Sequence, residues 1–151
     1  MLNFQPDQPT APAYDDDFVL WLDAQVAFLR SGRYELLDKD HLLDELNAMT
    51  RHERRSLRSR LEKIVMHMLK IDFQPARRTR SWSRTIREQR RKIAYILDDS
   101  PSLRRELQSD LDRAYRAAVH EAQQQTGLPT AAFPADCPYS LDQILHGEAW
   151  A

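Results

Sequence analysis

Residues 54–92, RRSLRSRLEKIVMHMLKIDFQPARRTRSWSRTIREQRRK, decide how the chain is read. Fourteen of them are Arg or Lys and only Glu62, Asp72 and Glu88 oppose these, a net +11 in a chain whose formal sum is −1. The rest of the sequence therefore carries −12, a segregation of charge that needs a physical account. Leu57, Leu61, Ile64, Met68, Trp82, Ile86 and Ile93 recur through the same stretch at helical spacing. The stretch thus predicts helices that build a core with one face while presenting cations on another.

Outward from this stretch, punctuation divides the chain into helices. Gln74-Pro75 ends one helix, because proline cannot continue it and pushes its predecessor towards extended geometry. Upstream, Asp38 or Asp40 opens that helix, whose stripe runs Leu42, Leu46, Met49, Leu57, Leu61, Ile64 and Met68; it continues to about residue 70 or breaks near Thr50 to Glu53. Asp15, Asp16 and Asp17 cap an earlier helix with Phe18, Leu22, Val26 and Leu29 inward, widened by Trp21 and Phe28, and Ser31-Gly32 stops it. Downstream, Ser81 caps a third helix carrying Trp82, Ile86, Ile93 and Leu97. Ser100-Pro101 opens a fourth, with Leu103, Leu107, Leu111, Ala114, Ala118 and Ala122, which Gly127 closes. A proline-punctuated strap follows, pinned by Phe133 and Tyr139, with a short helix between Ser140 and Gly147. The expectation is an all-α antiparallel bundle of four main helices with a C-terminal strap, residues 14–151, behind a flexible arm at 1–13.

Composition excludes several classes. The 151 residues bury roughly two thirds of the surface of the unfolded chain, and 42% hydrophobic with 30% charged content is that of a globular protein. Cys137 stands alone, without a disulfide partner or zinc-site spacing. No run of about 18 apolar residues occurs, and the N-terminal residues lack a basic and then apolar leader. A cytoplasmic protein that does not span a membrane is expected.

The segments YDDDFVLWLDAQVAFLRSGRYELLDKDHLLDELNAM, HMLKIDFQPARRTRSWSRTIREQRRKI, DDSPSLRRELQSDLDRAY and TGLPTAAFPADCPYSLDQIL resemble the domain of unknown function 29 (DUF-29) family of bacterial helical proteins, over about residues 14–145. Thr50 departs from the family, which often has glycine there. The resemblance implies an all-α fold; it carries no reaction, ligand or catalytic residue.

Candidate chemistry is sparse. Gly-rich phosphate loops, Ser/His/Asp orders, paired cysteines and His-Glu-x-x-His are absent, and no cofactor is implied. None of His41, His52, His67, His120 and His146 lies three or four residues from another, so no metal site is predicted; Glu45, Glu53 and His67 would have to converge across helices. Three function classes follow. The first is a non-enzymatic interaction module with an unknown protein partner. The second is nucleic-acid binding through residues 77–92, using Arg77, Arg78, Arg80, Arg84, Arg87, Arg91 and Lys92, with Trp82 as a stacking face; internal pairing of these cations with the flanking acids is the competing expectation. In the third, Arg60 and His67 resemble the Arg and His of HEPN-type ribonucleases, where Arg holds the phosphate and His works as acid–base, although Leu61 departs from the polar residue usual there. A structural polar core of Glu53, His67, Gln89 and Arg90 is expected: Arg90 or Gln89 meets the His67 region, lowering its pKa, while Glu53 finds a cation elsewhere.

Overall fold

The computed structural model describes residues 12–150. The expected arm at 1–13 lies outside them except for its last two residues. Among the described residues there are five α-helices: α1 (Phe18–Ser31), α2 (Lys39–Phe73), α3 (Arg80–Asp99), α4 (Leu107–Thr126) and the short α5 (Leu141–His146). No strand occurs among the described residues, so the chain is all-α, four main helices followed by a strap that carries the fifth. It divides into two compact units, residues 1–50 and 51–151. The first fifty residues hold 3 of the 22 Lys and Arg and 10 of the 23 Asp and Glu, a net −7, which leaves +6 for the remainder.

In the first unit the Asp17 side chain accepts from Leu20 N–H at 3.0 Å, capping α1, and Gly32 ends it at φ 72°, where a Cβ would be strained. The buried face is Trp21, Ala24, Gln25 and Phe28. The predicted stripe of Phe18, Leu22, Val26 and Leu29 is exposed instead. Polar anchors set this phase. Trp21 Nε1 donates to Asp38 Oδ2 at 3.1 Å, and Asp38 N–H donates to Gln25 Oε1 at 2.8 Å. Tyr14 stacks on His41 with ring centroids 4.2 Å apart and meets Trp21 edge-on. A tryptophan and a glutamine with fixed partners outweigh the smaller aliphatic stripe in choosing which side goes in.

The second unit holds the large core. α2 runs unbroken through Thr50 to Glu53 and buries Leu57, Leu61, Ile64, Val65, Met68 and Leu69. α3 contributes Ile86, Gln89, Ile93 and Leu97, and α4 contributes Leu107, Leu111, Ala114, Ala118 and Ala122. Arg60 meets Gln89 and Lys70 meets Trp82, so α3 runs antiparallel to α2. Arg58 meets Asp110 and Lys70 meets Gln125, so α4 runs parallel to α2 again. Ala114, Ala118 and Ala122 are fully buried, the small residues that a close helix neighbour requires.

The strap is held by side chains at the end of α2. Tyr139 Oη and Trp150 Nε1 donate to the two carboxylate oxygens of Asp72, each at 2.8 Å. Ser140 and Gln143 form a reciprocal capping box at the start of α5. A Cβ at Gly147 would sit 2.6 Å from Gln143 O and 2.9 Å from the Trp150 ring, so only glycine lets that tryptophan fold back. Asp72→Leu strands both donors. It is expected to cost about 1–3 kcal/mol in urea unfolding and to speed amide exchange in α5; unchanged exchange there would refute the anchoring role.

Candidate nucleic-acid interface

α3 buries Ser83, Ile86, Gln89, Ile93 and Leu97. At 3.6 residues per turn, Arg80, Arg84, Arg87 and Arg91 then fall within about 60° of one another on the opposite side, along about 16 Å of helix. All four are exposed, as are Arg77 and Arg78 in the preceding connection. Among the described residues none of these six forms an ion pair with a carboxylate. Arg78 Nη2 donates to Ser83 Oγ at 3.4 Å. Arg78, Thr79, Arg80, Ser83 and Arg87 line one shallow surface cleft, and Arg84, Arg87, Glu88 and Arg91 line the next, so Arg87 joins the two. Lys92 differs from its neighbours, being paired with Glu88 one turn back. That hydrogen bond, and the charges of Lys92, Arg91 and Arg84, hold the Glu88 carboxyl below its ordinary range.

Other cations of the stretch turn inward and meet neutral oxygens. Arg60 Nη1 donates to buried Gln89 Oε1 at 3.1 Å, while its buried Nε has no hydrogen-bond partner among the described residues. Arg90 donates to the carbonyls of Ile144 and Gln143 at 2.8 and 3.0 Å, tying α3 to the strap. Lys70 Nζ lies 4.3 Å from the centroid of the half-buried Trp82 ring and donates to Gln125 Oε1 at 2.8 Å. Trp82 is therefore a cation seat within the fold, and no stacking face on the arginine row.

The expected polar core needs correction at two positions. Glu53 is exposed, because the stripe on which it lies is buried only from Leu57 onward. Arg90 does not approach His67, since the strap takes its guanidinium. His67 is half-buried, with Nδ1 2.8 Å from Lys63 O. Its pKa is nevertheless lowered, first by burial and then by the nearby charges of Lys70 and Lys63, against the Lys63 carbonyl, which acts the other way. Arg60 and His67 are not brought together: they stand seven residues, about 10 Å, apart along α2, and each has a separate partner. Among the described residues no cluster of His, Cys, Asp and Glu could hold a metal, and no helix is long and apolar enough to cross a membrane. Composition could not reveal which arginines turn inward; that depends on the strap returning to α3.

This geometry defines an all-α protein with a cationic helix face whose arginines form no ion pair among the described residues. The family "Domain of unknown function DUF29" matches residues 13–150, nearly the whole chain, and the protein belongs to that family. No curated protein and no solved structure matches the chain.

Gln89→Leu leaves the Arg60 guanidinium without its acceptor and is expected to cost about 1–3 kcal/mol in urea unfolding, whereas Gln89→Glu, which keeps an acceptor, should cost less. Equal losses would contradict the pairing. For His67 the fold favours the neutral ring. Its linkage therefore lowers stability as pH falls below about 6.5, the unfolded value, and adds nothing above it. An NMR midpoint above about 6.5, or the same acid slope in His67→Gln, would show otherwise.

Proposed function

We propose that the protein is a non-enzymatic binding module whose ligand is the phosphate backbone of nucleic acid, bound along the outer face of α3 and the connection before it. The single observation that supports this reading is the row Arg80, Arg84, Arg87 and Arg91: exposed, on one side of one helix, and without carboxylate partners among the described residues. Arginine offers forked donors suited to phosphate oxygens. Arg77 and Arg78 extend the row at its N-terminal end, and Lys92 contributes less because Glu88 holds it. Backbone contacts of this kind give affinity without reading sequence.

Fluorescence anisotropy with a labelled mixed-sequence DNA or RNA duplex tests the reading. Four phosphate contacts predict a slope of log K against log salt near −3.6, by the relation of about −0.9 per contact. Arg84→Ala with Arg91→Ala should reduce that slope by about 2. Absence of binding at low salt, or a double variant with the parent slope, rejects the interface.

A further inference from the structure

The first unit presents an apolar surface that its own packing leaves uncovered. Among the described residues, ten of the eleven exposed large hydrophobic residues fall between Phe18 and Met49. On α1, Val19, Leu22, Val26 and Leu29 are 59%, 38%, 37% and 48% exposed, and Phe18 beside them is 44% exposed. The opposite side of the same helix is already buried through Trp21, Ala24, Gln25 and Phe28. A helix apolar on both sides is one that neighbours cover on both sides. The spacing of the uncovered residues is specific: three, four and three, the a and d positions of a heptad, with valine at a and leucine at d.

The geometry points to a second copy of this chain as the occupant, its α1 lying antiparallel against this one. Antiparallel order follows from charge. Asp23 and Arg30 lie seven residues apart along one flank of the seam, and Asp15, Asp16 and Asp17 precede the first turn of the helix. With the twofold axis level with Ala24, Val19 faces Leu29 of the second copy and Leu22 faces its Val26. Arg30 of the second copy then stands level with Phe18, the first residue of the helix, which the acidic run Asp15, Asp16 and Asp17 immediately precedes. Two Asp16–Arg30 pairs form by symmetry, as an isologous contact requires. A parallel pair would instead bring the two runs of Asp15, Asp16 and Asp17 together. The only like-charge meeting in the antiparallel pair is Asp23 with its own copy. The second unit offers no counterpart surface, since Tyr95 is its only exposed large hydrophobic residue among those described.

Sedimentation equilibrium of the full chain over about 1–200 μM tests this arrangement. A monomer–dimer equilibrium is expected, abolished by Leu22→Gln with Val26→Gln while the far-ultraviolet circular dichroism stays that of the parent. Asp16→Arg and Arg30→Asp should each weaken the dimer about tenfold, and the variant carrying both should recover it, because exchanging the two ends restores the pairs. Asp23→Asn should tighten it. A monomer throughout the range overturns the proposal; so does one that dimerises only when residues 1–11 are removed, since this chain's own segment would then cover the face. A dimer that survives the Gln variants, or single swaps that the combined variant does not rescue, overturns it equally.

Discussion

The commitment of one side of α3 to the core governs the arrangement of the second unit. Once Ile86, Ile93 and Leu97 face inward, the helical period leaves Arg80, Arg84, Arg87 and Arg91 no direction but outward. The two requirements support each other. Burial of the aliphatic side holds the segment as a helix, so the cations stand at helical intervals along it. A polyanion that binds such a row meets side chains whose carrier has already been ordered by folding, and the entropic cost of association falls on the side chains alone.

The cations that do enter the fold meet neutral acceptors. Arg60 takes an amide oxygen, Arg90 two main-chain carbonyls, and Lys70 an amide oxygen and an indole face. These pairings leave the positive charge uncancelled. The acids that would balance it lie largely in residues 1–50, which sum to −7 against +6 beyond. Full cancellation within the second unit is thus ruled out by composition, and the ion pairs of Arg54 with Glu106 and Arg58 with Asp110 consume only part of the supply. The surplus appears on α3.

Most helix boundaries were legible because local chemistry fixes them. α3 instead starts at Arg80 after Thr79, ahead of the expected cap Ser81, and Pro101 opens a separate 3-10 turn, Pro101–Arg105, before α4 begins at Leu107. Asp17, Gly32, Pro75, Gly127 and the Ser140 capping box act within a turn of their own positions. The core of α4 and the inward side of α3 were legible for the same reason, each having one apolar stripe and no rival. α1 misled because it has two. Aliphatic periodicity favours Phe18, Leu22, Val26 and Leu29, but the phase is set by hydrogen bonds from Trp21 and to Gln25, whose partner Asp38 lies beyond the next turn. Glu53 misled in the reverse sense. Its place on an extrapolated stripe implied burial, yet the stripe is buried only from Leu57 onward. The partners of Arg90 were not legible at all, because they lie more than fifty residues away on the strap.

α2 carries one apolar stripe through two environments. From Leu57 onward the stripe is packed; at Leu43, Leu46 and Met49 it is open to solvent. Most helical stability in a folded protein comes from packing of the apolar side, so the first turns of α2 rest mainly on polar and ring contacts: Asp38 with His41, Trp21 and Gln25, the Tyr14 ring on His41, and the Tyr14 hydroxyl donating to Glu45. Regions with few buried contacts open most readily. Any partner that covers the uncovered residues of the first unit binds its folded form and not its opened form, and so stabilises it by mass action. Association through α1 would therefore order the first turns of α2 as well as α1, without any contact to the core that Leu57, Leu61 and Ile64 build.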